Sequence, residues 1–144
     1  MNTPTRLLVV LGLILLVWIG VSLTLPSKLY AGSSDGQWEA EYDVGNSIKN
    51  IWRGQLYWDG MKGDITALDF YRDGQLLTGD LDWSPHEYID LAATNQTEFI
   101  YFGEVPTDSS EYTLRIKWRN EGEEFEQVLS FKDKKRFFVI PKLG

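Results

Sequence analysis

The chain begins with an uncharged run of 19 residues, 7–25, which strongly limits what its first part can become. A helix of this length spans roughly 28 Å at about 1.5 Å per residue, close to the ~30 Å hydrocarbon core of a bilayer. The run is apolar on all sides, which argues against an amphipathic surface helix. The sequence therefore predicts a transmembrane anchor or a signal segment over residues 1–25, with residues 7–25 in contact with the membrane.

The charges that flank this run predict its orientation. Arg6 and the free amine precede it, whereas Lys28 alone follows it closely. Because cytoplasmic flanks carry the excess of positive charge, we expect a single-pass cell-membrane protein with a cytoplasmic N-terminus and an extracytoplasmic C-terminal domain. The alternative is a signal peptide cleaved after Ala31, which would leave the domain secreted. Retention is favoured, because signal-peptide apolar regions usually span about 7–15 residues and Leu29 occupies the position that prefers a small residue.

Charge and cysteine content restrict the functions open to the rest of the chain. All 21 acidic residues lie in 35–144 together with twelve of the 14 Lys and Arg residues, so this part carries a formal charge of −9. Such a charge predicts a soluble domain and argues against nucleic acid or anionic lipid as partners. The absence of cysteine excludes a disulfide framework, a Cys-ligated zinc site and a Cys nucleophile.

Strict alternation of apolar and polar residues replaces the continuous apolar pattern after Gly36. The alternation is typical of half-buried strands and is clearest in three segments: 37–44, 51–58 and 111–118. The inward faces of these segments are rich in aromatic residues, which suit a β core: Trp38, Tyr42, Trp52, Trp58, Tyr112 and Trp118. Weaker strands are expected at 87–92 and 98–103, and a last strand at 136–140.

Turn signals divide this region into short strands. Asp73 and Gly74 between 64–71 and 75–81 predict a tight hairpin, because a primed turn requires positive φ angles. Turns recur every eight to twelve residues and no helical periodicity persists. We therefore predict an all-β domain over 37–144, an immunoglobulin-like antiparallel β-sandwich of about seven to nine strands, with a small barrel as the alternative. Residues 26–36 are predicted to be a linker.

The order of these strand patterns resembles a known group of proteins. Trp38-x-Ala40-x-Tyr42-x-Val44, then the tryptophan strand at 51–58, then a hairpin ending at Trp118, is similar to uncharacterised envelope-anchored proteins of Gram-positive bacteria. The resemblance implies an anchored extracytoplasmic domain and supplies no activity. Many members of that group carry a lipidated cysteine that this chain lacks, which places anchoring on the N-terminal helix.

The acidic loop 79–90 is the segment most suggestive of chemistry. It supplies Asp80, Asp82 and Asp90, whose oxygen atoms suit Ca²⁺, although the spacing is not that of an EF-hand. A polar connection in an acidic protein explains the same residues, so we expect no cofactor, with Ca²⁺ as the alternative. The single histidine, His86, is the one candidate base for a small hydrolase. No Gly-x-Ser-x-Gly nucleophile motif accompanies it, so we expect no enzyme activity.

Exposed aromatic residues and charge stripes are the remaining candidates for binding. Trp83, Tyr88 and Tyr57 are predicted to be accessible to a ligand such as a glycan, whereas the other tryptophans fit the core. If their strands are neighbours, the acidic stripe of 39–43 and the basic stripe of 115–119 would form cross-strand ion pairs. As an alternative, the basic stripe, extended by the lysines of 132–135, would bind an anionic wall polymer or an acidic envelope protein.

Taken together, these patterns predict a membrane-tethered, extracytoplasmic β-sandwich that acts as a non-enzymatic interaction or accessory module of the cell envelope. The first alternative is a Ca²⁺- or glycan-binding module that uses the 80–90 loop. The second is a small hydrolase that uses His86.

Overall fold

A computed structural model describes residues 2–24, 27–44, 51–78 and 88–134 of the 144. Its first element is helix α1, Thr3–Thr24, whose 22 residues span about 33 Å at 1.5 Å per residue. Within it, Thr3–Val21 is long and apolar enough to cross a membrane, by length and composition. Its large apolar side chains are 38–69 % exposed. The predicted N-terminal apolar helix is thus confirmed, and either a membrane anchor or a signal sequence fits it.

The rest of the described chain is built from β-strands. Residues Leu29–Asp133 form one compact unit, called the β-domain below, and α1 belongs to the other unit. Ten strands occur in the described residues: β1 (Lys28–Gly32), β2 (Trp38–Val44), β3 (Trp52–Trp58), β4 (Asp64–Arg72), β5 (Gln75–Leu76), β6 (Ile89–Asp90), β7 (Gln96–Gly103), β8 (Tyr112–Asn120), β9 (Glu123–Ser130) and β10 (Lys132–Lys134).

The strands form two sheets. The first sheet has the order β10-β1-β2-β3-β7, and the second has the order β5-β4-β8-β9, with β6 also paired to β4. The pairings run antiparallel within β1-β2-β3-β7, between β4 and each of β5, β6 and β8, and between β8 and β9. The prediction of two-residue alternation and antiparallel sheets is confirmed, with ten strands described where seven to nine were expected. The immunoglobulin-like form of this architecture stays a prediction.

Alternation drives the sheets together, because every second side chain is apolar and leaves water. Trp38, Ala40 and Tyr42 of β2 are at most 2 % exposed. Aromatic rings join the sheets: Trp38 lies 5.0 Å from Trp118, and Tyr42 lies 5.2 Å from Phe70, between ring centroids. Tilted pairs at such distances add about 0.5–1.5 kcal/mol each beyond the buried area. The inward-facing tryptophans of the sequence analysis are therefore core residues.

The two ends of the β-domain can be distinguished by strand register. At the end where the chain enters β1, Leu29 pairs with Tyr42, and Gly103 pairs with Trp52 of β3. Tyr42 also packs against Tyr112 at 6.3 Å, which brings the beginning of β8 to the same end. We call this the proximal end. The opposite, distal end holds the other ends of these strands: Gly32, Trp38, Trp58, Gln96 and Trp118.

The hairpin predicted from Asp73 and Gly74 is confirmed. Their φ angles are 50° and 78°, the left-handed values that a tight primed turn requires. A second turn of the same kind joins β8 to β9 through Glu121 and Gly122, with φ angles of 51° and 80°. Asp and Gly adopt positive φ angles at little cost. In the second turn Gly122 provides one of the two positive φ angles, and Glu121 provides the other.

Three expectations about the strands require correction or fall outside the described residues. Residues 28–32, expected in the linker, form β1, because Leu29 and Ala31 alternate inward and are 5 % and 2 % exposed. The turn expected at 132–135 is wrong over 132–134, which form β10 in the first sheet. The last strand, predicted at 136–140, lies outside the described residues.

The condition for pairing between the acidic and basic stripes, that their strands be neighbours, is not met. The acidic stripe lies on β2 in the first sheet, and the basic stripe lies on β8 in the second, so the two are not neighbours. Each basic residue instead meets an acid on an adjacent strand of its own sheet: Arg115 with Asp69 at 2.9 Å, Lys117 with Glu126 at 3.9 Å, and Arg119 with Glu124 at 2.9 Å. Local neutralisation therefore removes most of the excess positive charge that a polymer-binding patch would need.

Candidate functional site

The outer face of the first sheet carries Tyr57, one of the residues predicted to bind ligand. Strand register places Glu39 opposite Tyr57, and places Glu41 between Tyr30 and Gln55. The Tyr57 hydroxyl donates a hydrogen bond to Gln55 Oε1 at 2.5 Å. We call these five residues the tyrosine–glutamate face. It forms because the polar positions of β1, β2 and β3 all point away from the core.

The electrostatics of this face keep both phenols protonated. Desolvation by burial raises the pKa of Tyr57, and the charge of Glu41 raises it further. Desolvation also raises the pKa of Tyr30, followed by the charge of Glu39 and a hydrogen bond to that residue. Phenol donors beside carboxylate acceptors on an aromatic surface are groups that bind hydroxyl-rich molecules such as glycans.

Tyr88 and Asp90 lie elsewhere, at the start of β6 in the second sheet. Tyr88 is 43 % exposed, as expected of a ligand-binding aromatic residue. Asp90 Oδ1 accepts a hydrogen bond from the Ala92 backbone N–H at 2.8 Å, and the Asp90 carbonyl accepts one from Ala93 N–H at 3.2 Å. Asp90 therefore closes a turn, the structural role that short acidic side chains commonly take in loops.

The remaining predicted site residues, Asp80, Asp82, Trp83 and His86, lie outside the described residues. Tyr57 lies on β3 of the first sheet, whereas Tyr88 directly precedes β6 of the second, so the structure does not bring the described ligand-binding candidates onto one face. Among the described residues, no group of three or more His, Asp or Glu side chains could hold a metal ion. The calcium and hydrolase alternatives for the 79–90 loop stay predictions.

An open groove of about 610 Å³ lies at the distal end, between residues 58–62 and residues 91–95. Trp58 holds its two walls together. The indole Nε1–H donates to the Leu91 carbonyl at 2.9 Å, and the Trp58 backbone N–H donates to the Asn95 carbonyl at 3.1 Å. The volume is in the range of small-molecule sites, but the groove is wide open to solvent.

A cluster of exposed apolar side chains at the proximal end was missed by the sequence analysis. Phe102 is 82 % exposed, the highest value among the exposed large apolar residues of the described chain. Its companions are 36–54 % exposed, and the whole cluster, called the apolar end below, consists of Leu76, Leu77, Tyr101, Phe102 and Val105. Leu77 and Phe102 line one cavity of about 240 Å³, together with Tyr42 and Arg72.

Irregular pairing of β7 explains why this cluster forms. The register between β3 and β7 shifts on both sides of Gly54, which is the signature of a β-bulge. A bulge breaks the inward–outward alternation, so both Tyr101 and Phe102 are exposed. Gly103 then brings the chain close to the core, because a Cβ there would lie 2.1 Å from Tyr42 Oη. The only sequence signal is the unbroken apolar run 99–102.

Comparison with known proteins gives no relative from which a function could be transferred. No family model matches the chain, no curated protein matches it, and no solved structure matches it.

Proposed function

We propose that this chain is a membrane-tethered, extracytoplasmic β-sandwich that serves as a non-enzymatic interaction or accessory module of the cell envelope. The observation that carries the proposal is α1, an exposed apolar helix of membrane-spanning length that ends only three residues before β1. Arg6 near its beginning favours a cytoplasmic N-terminus. The same helix supports the resemblance to envelope-anchored proteins of Gram-positive bacteria, which stays part of this proposal.

The charge of residues 35–144, which contain most of the β-domain, supports display outside the cytoplasm. Residues 35–144 carry a formal charge of −9, which keeps a tethered domain soluble and repels it from anionic lipid headgroups. The cross-strand ion pairs of β8 balance its basic side chains locally. Recognition through the described surface would then depend on shape and on polar or apolar contacts rather than on a large basic patch.

The absence of native cysteine makes the topology directly testable. Ala93 is exposed at the distal end, so Ala93→Cys should react with a membrane-impermeant maleimide on intact cells. The matched variant Asn2→Cys should react only after permeabilisation, because it precedes α1. Labelling of Ala93→Cys only after permeabilisation would contradict the proposed topology. The mass of the labelled chain distinguishes a retained anchor from cleavage after Ala31.

The tyrosine–glutamate face favours glycan binding as a second candidate function. Two protonated phenols and two carboxylates lie on the outer surface of one sheet, where Glu39 is exposed and Tyr30, Glu41 and Tyr57 are half-buried. Titration of the full chain with soluble cell-wall glycan fragments should change its tyrosine fluorescence, and Tyr57→Ala should remove the change. The control Tyr101→Ala removes an exposed tyrosine outside this face. Equal binding by Tyr57→Ala and the unmodified chain would rule out this face as the site.

A further inference from the structure

We propose that the apolar end is a lipid-binding surface. Phe102, with Leu77 and Val105 beside it, would insert into the boundary between headgroups and acyl chains of the membrane that holds α1. The inference rests on the proposed function, because α1 has to remain in the bilayer. It adds a specific contact: the β-domain would lie on the membrane in one orientation, with its distal end towards the solvent.

Chain length alone keeps the β-domain beside the bilayer. Four residues separate Thr24, the last residue of α1, from Leu29, the first residue of the β-domain. Even fully extended, five Cα–Cα steps reach at most about 18 Å. The headgroup layer itself occupies roughly 6 Å on each side of the hydrocarbon core. Leu29 therefore lies no more than about 12 Å above the headgroup layer when the end of α1 is at the hydrocarbon boundary.

Strand register places the apolar end at the same end of the β-domain as Leu29. Three strand spacings separate β1 from β7 in the first sheet, which is about 14 Å at roughly 4.8 Å per spacing. Phe102 precedes Gly103, which pairs with Trp52 at the proximal end. Leu77 directly follows β5 of the other sheet but shares a cavity with Phe102. The exposed apolar side chains and the entry point of the chain thus lie at one end of the domain.

The chemistry of this surface suits a lipid interface. Transfer of phenylalanine, leucine and valine side chains out of water lowers the free energy. Tyrosine is enriched at the headgroup level. The charged pair at the rim, Arg72 and Glu104 at 3.9 Å, is neutral overall. Because the domain as a whole is acidic, the contact should depend on apolar insertion and should not require anionic lipid.

The membrane anchor favours lipid as the molecule that covers the apolar end. A second copy or another protein has to be met by diffusion, whereas the bilayer lies within reach of this surface in every anchored molecule. Tethering raises the effective concentration of the membrane, so a few inserted side chains are enough for binding. An isolated domain with the same side chains would bind vesicles only weakly.

Depth-dependent fluorescence quenching tests the contact. The full chain, with Val105→Cys labelled by an environment-sensitive fluorophore, is reconstituted into phosphatidylcholine vesicles that contain nitroxide lipids. The label should shift to shorter wavelength and be quenched several-fold more than the same label at Ala93→Cys in the distal turn. Addition of phosphatidylglycerol should not strengthen the quenching. Phe102→Ser should reduce the quenching at position 105 to the level of position 93, and this exposed substitution should leave folding intact.

Two results would overturn the proposal. Equal, weak quenching at positions 105 and 93 would show that the proximal end stays in water. A wavelength shift at position 105 that disappears when the chain is diluted into more lipid would identify a second copy as the occupant. Failure of the proposed function is distinct, because quenching in vesicles is independent of the side that the domain faces, whereas cysteine labelling on cells reports that side alone.

Discussion

Gly54→Ala tests the packing on which the β-domain depends. Gly54 lies in the middle of β3 and is paired on both sides, with Tyr42 and with Ile100. An added Cβ would lie 2.2, 2.3 and 2.6 Å from Cε2, Cζ and Cδ2 of the Phe99 ring, against an optimal carbon separation of about 3.5–4.0 Å. The ring is 1 % exposed and lies 5.1 Å from the ring of Phe70, so it cannot simply move away.

The expected loss follows from the cost of overpacking. A methyl group forced into a well-packed core destabilises a protein by about 1–3 kcal/mol. At a urea dependence of about 1–3 kcal/mol per molar, the unfolding midpoint should fall by roughly 1 M. The assay is urea unfolding of the full chain in non-ionic detergent, followed by the red shift of the emission from the buried tryptophans Trp38 and Trp52.

Two further variants make this reasoning refutable. Gly32→Ala adds the same methyl group to an exposed strand position, where the nearest atom, Tyr30 Oη, is 3.3 Å away, so stability should change by at most about 0.5 kcal/mol. Phe99→Leu shortens the obstructing side chain, so Gly54→Ala should cost less in that background, with a coupling of about 0.5–3 kcal/mol. If Gly54→Ala costs no more than Gly32→Ala, or if the two changes are additive, the ring clash is not the cause.

Three other outcomes are expected. Gly63→Ala should cost roughly 3 kcal/mol or more in the same unfolding assay, because φ is 103° and the new Cβ would lie 2.2 Å from the Arg119 carbonyl oxygen. Burial raises the pKa of Tyr42 well above its usual value of 10, so the folded state holds this proton more tightly. Stability should fall as pH rises above about 10, less steeply in Tyr42→Phe; equal slopes would contradict this. Asp69→Asn should cost under about 1 kcal/mol, less in 1 M salt, because Arg115 meets Asp69 in a partly exposed pair.

The local sequence pattern predicted the strands well, because the two-residue repeat of a half-buried strand appears directly as alternating apolar and polar residues. In β2, β3 and β8 the side chains named as inward from alternation are buried or half-buried. The hairpin at Asp73 was equally local, since its φ angles depend on two residues. Such features need no knowledge of which strands become neighbours.

Features that depend on strand neighbours could not be predicted in this way. The acidic partners of the basic stripe on β8 could not be identified, because alternation fixes the faces of a strand and leaves the order of strands open. Strand β1 was predicted to be part of the linker, since five residues with only two inward apolar side chains give little periodic signal. The apolar end arises from a register shift in β7, and tertiary pairing with β3 produces that shift.

Two of the strands that end the sheets of the described residues, β9 and β7, differ in a way that bears on the lipid proposal. Among the described residues, β9 ends the second sheet and is guarded by Glu123, Glu124 and Glu126, whose charges oppose pairing with another chain. Strand β7 ends the first sheet but carries a single charge, Glu98, and its proximal half exposes aromatic side chains. An edge of this composition promotes aggregation in a freely diffusing protein. If α1 is the membrane anchor that we propose, lipid contact would cover these exposed side chains and would account for the low charge of this half of β7.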